Sequence, residues 1–459
     1  MTVGFTPVSQ LLAAPRPAHS VVAFDAERPI DWRQFQADVL AVQAWLQRQS
    51  SQRVGLCFAD SYLFAVSFFA ACHAEKSLVL PGNYQPEAVR ELTPHFDVLL
   101  HDSAIVPAED IQGYRVESRR PDAAQALNSH LLKPLDAKRI ELTLFTSGSS
   151  GKAKAIVKSL SQLEDEITLL ESLWGEQMSG ARIESTVSHQ HIYGLLFRLL
   201  WPLCTDRPFA TFNLEFPEQV THKADSDTVL VSSPALLKRL SEEQQSQPLR
   251  CLFSSGGPLP NQAALHSQHL FGQLPIEVFG STETGGIAYR QQHQATTAWR
   301  FFPGVEAKLN SEGCLRLRAA HISGAEWYQT ADQCQFHDPQ SFDLKGRTDR
   351  VIKIEEKRIS LVEVEQRLDQ LEWIAESAVI TLEQGNRLAL CAVIVLSPQG
   401  AEQLASVGKG KFWLMLRQAL RDWLEPIAIP RKYRQVEAIP LNSQGKRQVA
   451  EIEKYFQEQ

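Results

Sequence analysis

Short apolar runs alternate with amphipathic stretches through the first three quarters of this chain. The run from Arg53 to Phe58 predicts a buried strand, and the stretch from Tyr62 to His73 predicts the helix that follows it. Further apolar runs predict strands at Lys76 to Pro81, Asp97 to His101, Ile140 to Phe145, Thr228 to Ser232 and Leu249 to Ser254. Strands that alternate with helices are typical of a layered α/β fold with largely parallel sheets.

The pattern changes near Asp343, where the elements become shorter and more mixed. The predicted strands there are Arg350 to Ile354, Ser377 to Ile380 and Leu388 to Leu396, and the predicted helices are Leu361 to Leu371 and Lys411 to Leu424. The last part of the chain is therefore predicted to be a compact α+β module.

The composition is that of a globular protein with more than one domain. The chain has 459 residues, of which 44% are hydrophobic and 22% are charged. Because a domain typically has roughly 150 residues, a chain of this length is expected to form two or three domains. The formal net charge of −7 gives no support to nucleic-acid binding driven by global charge.

Seven cysteines, at positions 57, 72, 204, 251, 314, 334 and 391, form no CxxC pair. This spacing matches neither a zinc site nor a disulfide framework, so we expect reduced thiols in a cytoplasmic protein. The N-terminus has no basic-then-apolar signal pattern, and apolar runs such as Leu63 to Cys72 are too short to span a membrane.

The segment from Thr146 to Lys154 has the composition of a loop that binds polyphosphate. Glycines and small hydroxyl residues allow backbone N–H groups to turn toward an anion, and lysines supply positive charge. Only two residues separate Gly148 from Gly151, so the segment is not the loop of the nucleoside triphosphatases, which needs four. A flexible surface turn is the alternative interpretation of this segment taken alone.

Four further motifs follow this loop along the chain. They are Phe279-Gly280-Ser281-Thr282-Glu283, Trp327 to Asp332, Gly346 to Asp349, and Pro440 to Lys446. In type, order and spacing the set resembles the signature motifs of the AMP-forming adenylate synthetases. That superfamily contains acyl- and aryl-CoA synthetases, peptide-synthetase adenylation domains and luciferases. The likeness extends from about Arg53 to Val449, nearly the whole chain.

The resemblance implies a domain organisation and a reaction. It implies a large N-terminal domain of layered α/β sheets over residues 1–346 and a small, mobile α+β C-terminal lid domain over residues 349–459, with a hinge near Asp349. Members of the superfamily join a carboxylic acid to the α-phosphate of ATP and release pyrophosphate. They then pass the acyl group to a thiol.

Most of the residues carried over from the resemblance would contact ATP or its metal. The ATP contacts are the loop residues Thr146, Ser147, Gly148, Ser149, Ser150, Gly151 and Lys154, then Gly256, Gly257 and Pro258 beside adenine, Asp332 and Arg347 at the ribose, and Arg358 near the phosphates. Thr282 would donate to the α-phosphate, and Glu283 would hold Mg²⁺. Lys446 matches the C-terminal catalytic lysine, whose ammonium can bridge the substrate carboxylate and the α-phosphate.

The segment from Ser188 to Gly194 matches the part of the family that lines the pocket for the acid. His191 is predicted there as a polar contact or gate that takes part in catalysis, with Tyr193, Gly194, Phe279 and Gly280 as further pocket residues. Amino-acid-activating relatives place an aspartate in this segment. Its absence favours an acid without an α-amino group, and the aromatic residues favour an aryl acid over a fatty acid. A metal pair formed by the His-x-His sequence is the alternative, but no third ligand is visible nearby.

Glu356 stands where the family has a glycine beside the path of the pantetheine arm. The short chain and the Lys357-Arg358-Ile359 context beside it resemble compact AMP-ligases of carrier-protein-dependent pathways, including those for aryl polyene pigments. The thiol is therefore predicted to belong to an acyl carrier protein, with free CoA as the alternative acceptor. A non-catalytic nucleotide-binding regulatory protein and a luciferase-like oxygenase are alternatives from other classes, although every motif residue expected of an active site is present.

Overall fold

The computed structural model describes residues 4–26, 28–118, 132–147, 153–241, 243–257, 259–322, 326–347, 350–355, 357–384, 387–440 and 448–457. The side chains of residues 147, 347, 358, 384, 387 and 450 lie outside this description. The chain divides into two compact units. The larger is formed by Met1–Gly82, Leu92–Phe145 and Ala155–Thr348, and the smaller by Asn83–Glu91, Thr146–Lys154 and Asp349–Gln459.

The strands are short and distributed along the whole chain. Numbered in chain order they are β1 (Val21–Phe24), β2 (Pro29–Asp31), β3 (Arg53–Cys57), β4 (Ser77–Leu80), β5 (Val98–His101), β6 (Gly113–Arg115), β7 (Glu141–Ser147), β8 (Ala153–Ser159), β9 (Arg182–Ser185), β10 (Phe209–Ala210), β11 (Thr228–Ser232), β12 (Cys251–Ser254), β13 (Ile276–Ser281), β14 (Gly285–Arg290), β15 (Trp299–Phe301), β16 (Glu306–Leu309), β17 (Cys314–Arg318), β18 (Tyr328–Asp338), β19 (Ser341–Arg347), β20 (Val351–Ile354), β21 (Lys357–Ser360), β22 (Ile374–Gln384), β23 (Arg387–Leu396) and β24 (Lys432–Gln435).

The helices alternate with these strands in the first part of the chain. They are α1 (Trp32–Gln47), α2 (Ser61–His73), α3 (Pro86–Glu91), α4 (Leu160–Trp174), α5 (Ile192–Gly194), α6 (Trp201–Cys204), α7 (Pro217–Lys223), α8 (Pro234–Leu237), α9 (Asn261–Phe271), α10 (Leu361–Asp369), α11 (Pro398–Val407), α12 (Lys409–Leu420) and α13 (Val449–Gln457). A π-helical turn, Leu195–Leu200, joins α5 to α6. Within the described residues, no helix is both long and apolar enough to cross a lipid bilayer.

Two sheets organise the larger unit. The first has thirteen strands in the order β16-β17-β18-β19-β15-β14-β13-β12-β11-β9-β10-β1-β2. From β1 to β13 its neighbours pair in parallel, whereas β13 to β19 pair antiparallel. The second sheet has six strands in the order β6-β5-β3-β4-β7-β8, and its central strands are parallel.

The main hydrophobic core takes side chains from helices and from both of these sheets. Helix α2 is buried along nearly all of its length because almost every residue from Tyr62 to Cys72 is apolar. A helix that is apolar on all sides is stable only when it is covered on all sides. Phe35 of α1, Leu163 of α4 and Val229 of β11 belong to the same cluster. The seven cysteines are also buried, and none of them forms a disulfide.

The smaller unit has its own core, built on the hairpin of β22 and β23. Strand β24 adds to this hairpin in parallel, and α10 and α12 pack against it through Val364, Leu368, Phe412 and Leu416. Helix α3 belongs to this unit, where its terminal Glu91 forms an ion pair with Arg367. The position of the boundary at residues 346 and 349 stays a prediction.

The layered α/β class is confirmed, and the nine strands that the apolar runs predicted coincide with β3, β4, β5, β7, β11, β12, β20, β22 and β23. The expectation of largely parallel sheets does not hold for β14 to β19, because the short alternating runs there connect by tight turns rather than by helical crossovers. Strand β22 is longer than predicted and extends over Ile374–Gln384. The predicted helix from Lys411 to Leu424 spans Lys409–Leu420, and α11 was not predicted.

A buried carboxylate in the smaller unit gives a first test of this architecture. Glu365 accepts hydrogen bonds from the N–H of Val379 (2.7 Å) and from the guanidinium of Arg350 (2.7 Å). We expect Glu365→Ala to destabilise the β22–β23 hairpin by roughly 2 kcal/mol, since it leaves a buried N–H without an acceptor. Hydrogen exchange in peptides from residues 374–396 would measure the loss of protection. Gln366→Ala, at an exposed position on the same helix, should leave protection unchanged.

Candidate active site

Three of the predicted segments follow neighbouring parallel strands of the larger unit. Strands β9, β11, β12 and β13 are hydrogen-bonded in that order and run parallel. Residues 191–194 follow β9, residues 256–257 follow β12, and residues 282–283 follow β13. Because the carboxyl ends of parallel strands meet at one edge of a sheet, the three segments lie along the same edge. This is where open α/β sheets bind their ligands.

The turn of the β13–β14 hairpin carries the predicted metal ligand, Glu283. Ser281 pairs with Gly285 across the hairpin, so residues 282–284 form its turn. The N–H of Ser281 donates to Oγ1 of Thr284 (3.1 Å), and the N–H of Thr284 donates to Oγ of Ser281 (3.2 Å). These reciprocal bonds fix the turn, and Glu283 within it is only 7% exposed.

Two glycines flank this turn at positions that leave no room for a side chain. A Cβ atom on Gly280 would lie 2.0 Å from the carbonyl oxygen of Gly285. Gly285 has a φ of +68°, and a Cβ atom there would lie 2.1 Å from Oε2 of Glu166. The close approach of backbone and carboxylate therefore requires glycine at both positions, whether or not Gly280 also borders the substrate.

A group of buried charged residues lies beside the turn and was not identified from the sequence. We call Lys158, Glu166 and His321 the buried charge cluster. Oε1 of Glu166 accepts a hydrogen bond from the N–H of Gly286 (2.7 Å), and Nε2 of His321 lies 2.9 Å from the carbonyl oxygen of Gly286. Nζ of Lys158 donates to the carbonyl oxygen of His321 (3.2 Å). Lys158 and Glu166 are each 2% exposed.

The electrostatics of the cluster extend to Glu283. Burial lowers the pKa of Lys158, and the carboxylates of Glu166 and Glu283 oppose that shift. Burial raises the pKa of Glu166, and His321, Lys158 and the N–H of Gly286 oppose it. Lys158 therefore lies within electrostatic range of two carboxylates. One signal in the sequence points to this cluster. Glu166 is a charged residue on the face of α4 that also carries Leu163 and Leu170.

The segment after β9 is tightly packed. His189 is buried, with Nδ1 2.8 Å from Oγ of Ser61 and its ring 4.5 Å from that of Phe64. A Cβ atom on Gly194 would lie 2.1 Å from the carbonyl oxygen of Ser188, so packing alone requires glycine at the predicted pocket position 194. Among the described residues, no group of three or more His, Cys, Asp or Glu side chains could hold a metal ion. The metal pair considered for His189 and His191 thus finds no third ligand there.

The two predicted pocket aromatics have different surroundings. Tyr193 packs against the main core, with its ring 4.8 Å from Phe197, and its buried hydroxyl lies beside the backbone of Ser232. Burial raises the pKa of Tyr193 well above its ordinary value. Phe279 belongs instead to the core of the antiparallel strands, 5.4 Å from the ring of Trp299 and 6.0 Å from that of Phe342. These contacts favour a packing role for Phe279. His191 precedes α5 and is partly exposed.

The two predicted ribose contacts lie opposite each other in the sheet. Asp332 of β18 pairs with Arg347 of β19, and residues directly opposite in an antiparallel pair have Cβ atoms about 5 Å apart. The register shifts between Gln333 and Cys334, because Gln333 pairs with Gly346 whereas Cys334 pairs with Leu344. One residue of β19, Lys345, is therefore an extra residue that forms a β-bulge.

The phosphate loop is described only at its ends. Thr146 and Ser147 end β7, and Oγ1 of Thr146 is buried without a hydrogen-bond partner among the described residues. Lys154 stands near the start of β8 with an exposed side chain. Several predicted residues lie outside the described part of the chain, namely Gly148, Ser149, Ser150, Gly151, Pro258, Asp349, Glu356 and Lys446, together with the side chains of Ser147, Arg347 and Arg358.

This arrangement is typical of α/β proteins that bind ligands at the carboxyl ends of parallel strands. Residues 12–318 match the family model of the AMP-binding enzymes, and the chain belongs to that family.

Curated relatives resemble this chain at low identity. A linear gramicidin synthase of Brevibacillus parabrevis is 23% identical over 76% of this chain, and the match spans 8% of that protein. Malonate–CoA ligase from Arabidopsis thaliana is 22% identical over 69% of this chain and 61% of its own length. D-alanine–D-alanyl carrier protein ligase from Staphylococcus aureus (strain Newman) is 26% identical over 68% of this chain and 70% of its own length.

Solved structures share the fold over nearly the whole chain. An amide bond synthetase from Marinactinospora thermotolerans has a TM-score of 0.79 at 16% identity and covers 98% of this chain and 100% of its own. A double mutant of o-succinylbenzoate CoA synthetase from Bacillus subtilis, solved with a product analogue, has a TM-score of 0.79 at 17% identity and covers 98% and 99%. These similarities confirm the fold.

The contact between Gly194 and Ser188 predicts a large effect for a small substitution. We expect Gly194→Ala to destabilise the larger unit by roughly 2 to 3 kcal/mol, because the added methyl group overlaps a backbone oxygen that cannot move freely. Urea unfolding followed by tryptophan fluorescence would measure the change. Gly410→Ala is a matched control, since no atom lies within 4 Å of the added Cβ there. An unfolding midpoint equal to that of the parent protein would contradict the packing described for residue 194.

Proposed function

We propose that this protein activates a carboxylic acid with Mg-ATP and then transfers the acyl group to a phosphopantetheine thiol. An oxygen of the carboxylate attacks the α-phosphorus of ATP, pyrophosphate leaves, and acyl-AMP forms. The thiolate then attacks the acyl carbon, and AMP leaves. The observation that carries this proposal is the placement of three motif segments along one sheet edge in a chain that belongs to the AMP-binding enzymes.

Glu283 is proposed to hold the magnesium ion. Mg²⁺ is usually bound through one or two carboxylates together with substrate phosphates rather than by an all-protein cage. The buried carboxylate of Glu283 at the end of the parallel strands fits that requirement. When bound, the ion would neutralise charge on the phosphates during the displacement.

The nucleotide is proposed to be held by residues from several of the motif segments. Backbone at Gly256 and Gly257 flanks adenine, and the carboxylate of Asp332 accepts both ribose hydroxyls, with Arg347 opposite it in the sheet. Thr282 donates to the α-phosphate. The segment from Thr146 to Lys154 and the residue Arg358 are assigned to the phosphates by resemblance.

The acid is proposed to enter beside residues 188–194. This segment contains no acidic residue, so nothing in it would pair with the ammonium group of an amino acid. We propose an aryl acid, of the kind used by carrier-protein-dependent ligases such as those for aryl polyenes, and His191 as the polar contact near the reacting carboxylate.

The acceptor is proposed to be an acyl carrier protein. The relatives include a carrier protein ligase and CoA ligases, so the family match supports a thiol acceptor without choosing between the two. Glu356 in place of the family glycine adds bulk and charge beside the proposed path of the thiol arm. Free CoA is the second candidate, favoured by the CoA ligases among the relatives.

The first half-reaction can be tested with a panel of benzoic, cinnamic and fatty acids. We expect acid-dependent exchange of pyrophosphate into ATP for at least one aryl acid, and we expect Lys446→Ala to lower that rate by about 10² to 10³ through loss of a charged donor in the transition state. Lys454→Ala, at an exposed position, should not change the rate. Nucleotide binding without acyl-AMP formation from any acid would support a non-catalytic binding protein instead.

The second half-reaction can be tested by competition between acceptors. With the acid that gives exchange, we expect more thioester on a phosphopantetheinylated acyl carrier protein than on CoA at equal concentration. Glu356→Gly should raise the yield with CoA, because it removes a charged side chain from the proposed path of the arm. Mass spectrometry of both products would measure the preference. A clear preference for CoA in the parent protein would overturn the assignment of the acceptor.

A further inference from the structure

Helix α12 and the residue that ends it carry positive charge without any acidic residue. Residues 409–421 contain two lysines and two arginines, in a chain whose formal net charge is −7. Both lysines, Lys409 and Lys411, lie in the first turn, which has no acidic residue and no capping side chain. Positive charge in a first turn opposes the helix macrodipole. The stability of the helix therefore does not explain these lysines.

Helix α12 packs against the smaller unit through its apolar face. Phe412, Leu416 and Leu420 are fully buried in the core of that unit. On one flank of this face, the sulfur of Met415 accepts a hydrogen bond from Nε2 of Gln403 in α11 (3.8 Å). The core and α11 thus hold the helix from the buried side, and the residues on the opposite side are not needed for that packing.

The opposite face of α12 forms a stripe that we call the basic stripe. It consists of Lys411, Leu414, Gln418 and Arg421, whose spacing of three and four residues aligns side chains along a helix. All four residues are exposed, and Leu414 is 62% exposed. Lys411 and Arg421 form no ion pair with any residue that the structure describes. The stripe therefore presents one large apolar side chain between two cations.

We propose that the basic stripe is the docking surface for an acidic helix of the carrier protein that receives the acyl group. This rests on the proposed function, because it concerns the partner of the transfer step. Charge complementarity selects an acidic partner, since opposite charges steer association and set its specificity. A second helix fits the spacing, because its own turns can place acidic groups against Lys411 and Arg421 and an apolar group against Leu414.

An anionic lipid surface fits this face less well than a protein does. A helix that lies on a membrane inserts a broad apolar face between the lipids. The apolar face of α12 is already packed in the core of the smaller unit, and the stripe has the single apolar side chain of Leu414. One exposed leucine between charged residues is instead the pattern of a small apolar contact with a polar rim, as in protein interfaces.

Charge reversal tests the stripe through the transfer step. The variant combines Lys411→Glu with Arg421→Glu. Its matched control combines Lys133→Glu with Lys238→Glu, which changes the net charge equally at two exposed positions of the larger unit. We expect the stripe variant to raise the KM for a phosphopantetheinylated acyl carrier protein roughly tenfold, because like charges then face each other. Its pyrophosphate exchange and its KM for CoA should match those of the control, which shows that the variant is folded.

Salt dependence gives the sign of the interaction. Between about 0.05 and 0.3 M NaCl, the KM of the parent protein for the carrier should rise, because salt screens an attraction. The KM of the stripe variant should fall over the same range, because salt then screens a repulsion. Equal salt dependence in the two proteins would overturn the electrostatic part of the proposal.

Cross-linking tests the contact itself without turnover. A photoreactive benzophenone amino acid in place of Leu414 should cross-link to the carrier protein, also when the carrier lacks its phosphopantetheine arm. The same amino acid in place of Leu265, which is 41% exposed on α9 of the larger unit, is the control and should not cross-link. Absence of a cross-link at position 414 would overturn the docking surface. Binding to phosphatidylglycerol vesicles that is lost in the stripe variant, without a cross-link to the carrier, would assign the stripe to lipid instead.

The docking surface and the proposed function can fail separately. If thioester forms on the carrier with the same KM in the parent protein and the stripe variant, the docking surface is wrong and the proposed function stands. If the carrier cross-links at position 414 but no acid gives acyl-AMP or thioester, the proposed function is wrong and the docking surface stands. Thioester on CoA alone, without a cross-link to the carrier, would overturn both the carrier as acceptor and the docking surface.

Discussion

A buried carboxylate that must find partners constrains the region around the acidic turn. Glu166 is buried, and its Oε1 accepts a hydrogen bond from the N–H of Gly286, whereas Oε2 has no hydrogen-bond partner among the described residues. Because a buried carboxyl group is unfavourable unless it is hydrogen-bonded, the start of strand β14 must lie against helix α4 at this place. Gly285 follows from the same constraint, since a Cβ atom there would overlap the carboxylate of Glu166, whereas Gly280 is required by its contact with the backbone of Gly285.

The parallel half of the large sheet provides the rest of the arrangement. Parallel strands end at a common edge, and their loops lie side by side without any contact between distant side chains being needed. The antiparallel half has a different role, because its hairpins hold residues at defined distances across neighbouring strands. The acidic turn lies where the two halves join, at β13, and is therefore supported from both directions.

Much of this could be predicted from the sequence. Apolar runs located nine strands, among them β3, β11 and β12, because burial on both faces leaves a continuous apolar signal, and the motifs located the segments at the sheet edge. The buried contacts of Lys158 and Glu166 could not be predicted, because the sequence does not show which group a charged residue in an apolar pattern will contact. The partners here are backbone groups far away in sequence. For Phe279 the motif predicted a place in the substrate pocket, whereas its ring packs against Trp299 and Phe342.

The bulge at Lys345 separates two alignments within one hairpin. On one side of it, Phe336 pairs with Phe342 in the core of the antiparallel strands, and Cys334 pairs with Leu344, whose side chain is exposed. If that alignment continued without interruption, Gly346 would stand across from Asp332 and Arg347 across from Ala331. A single inserted residue has instead brought Arg347 opposite Asp332 without changing the pairing of Phe336 with Phe342. During evolution, the residues at the Asp332 end of the hairpin can therefore change their alignment while the packing at the Phe336 end is preserved.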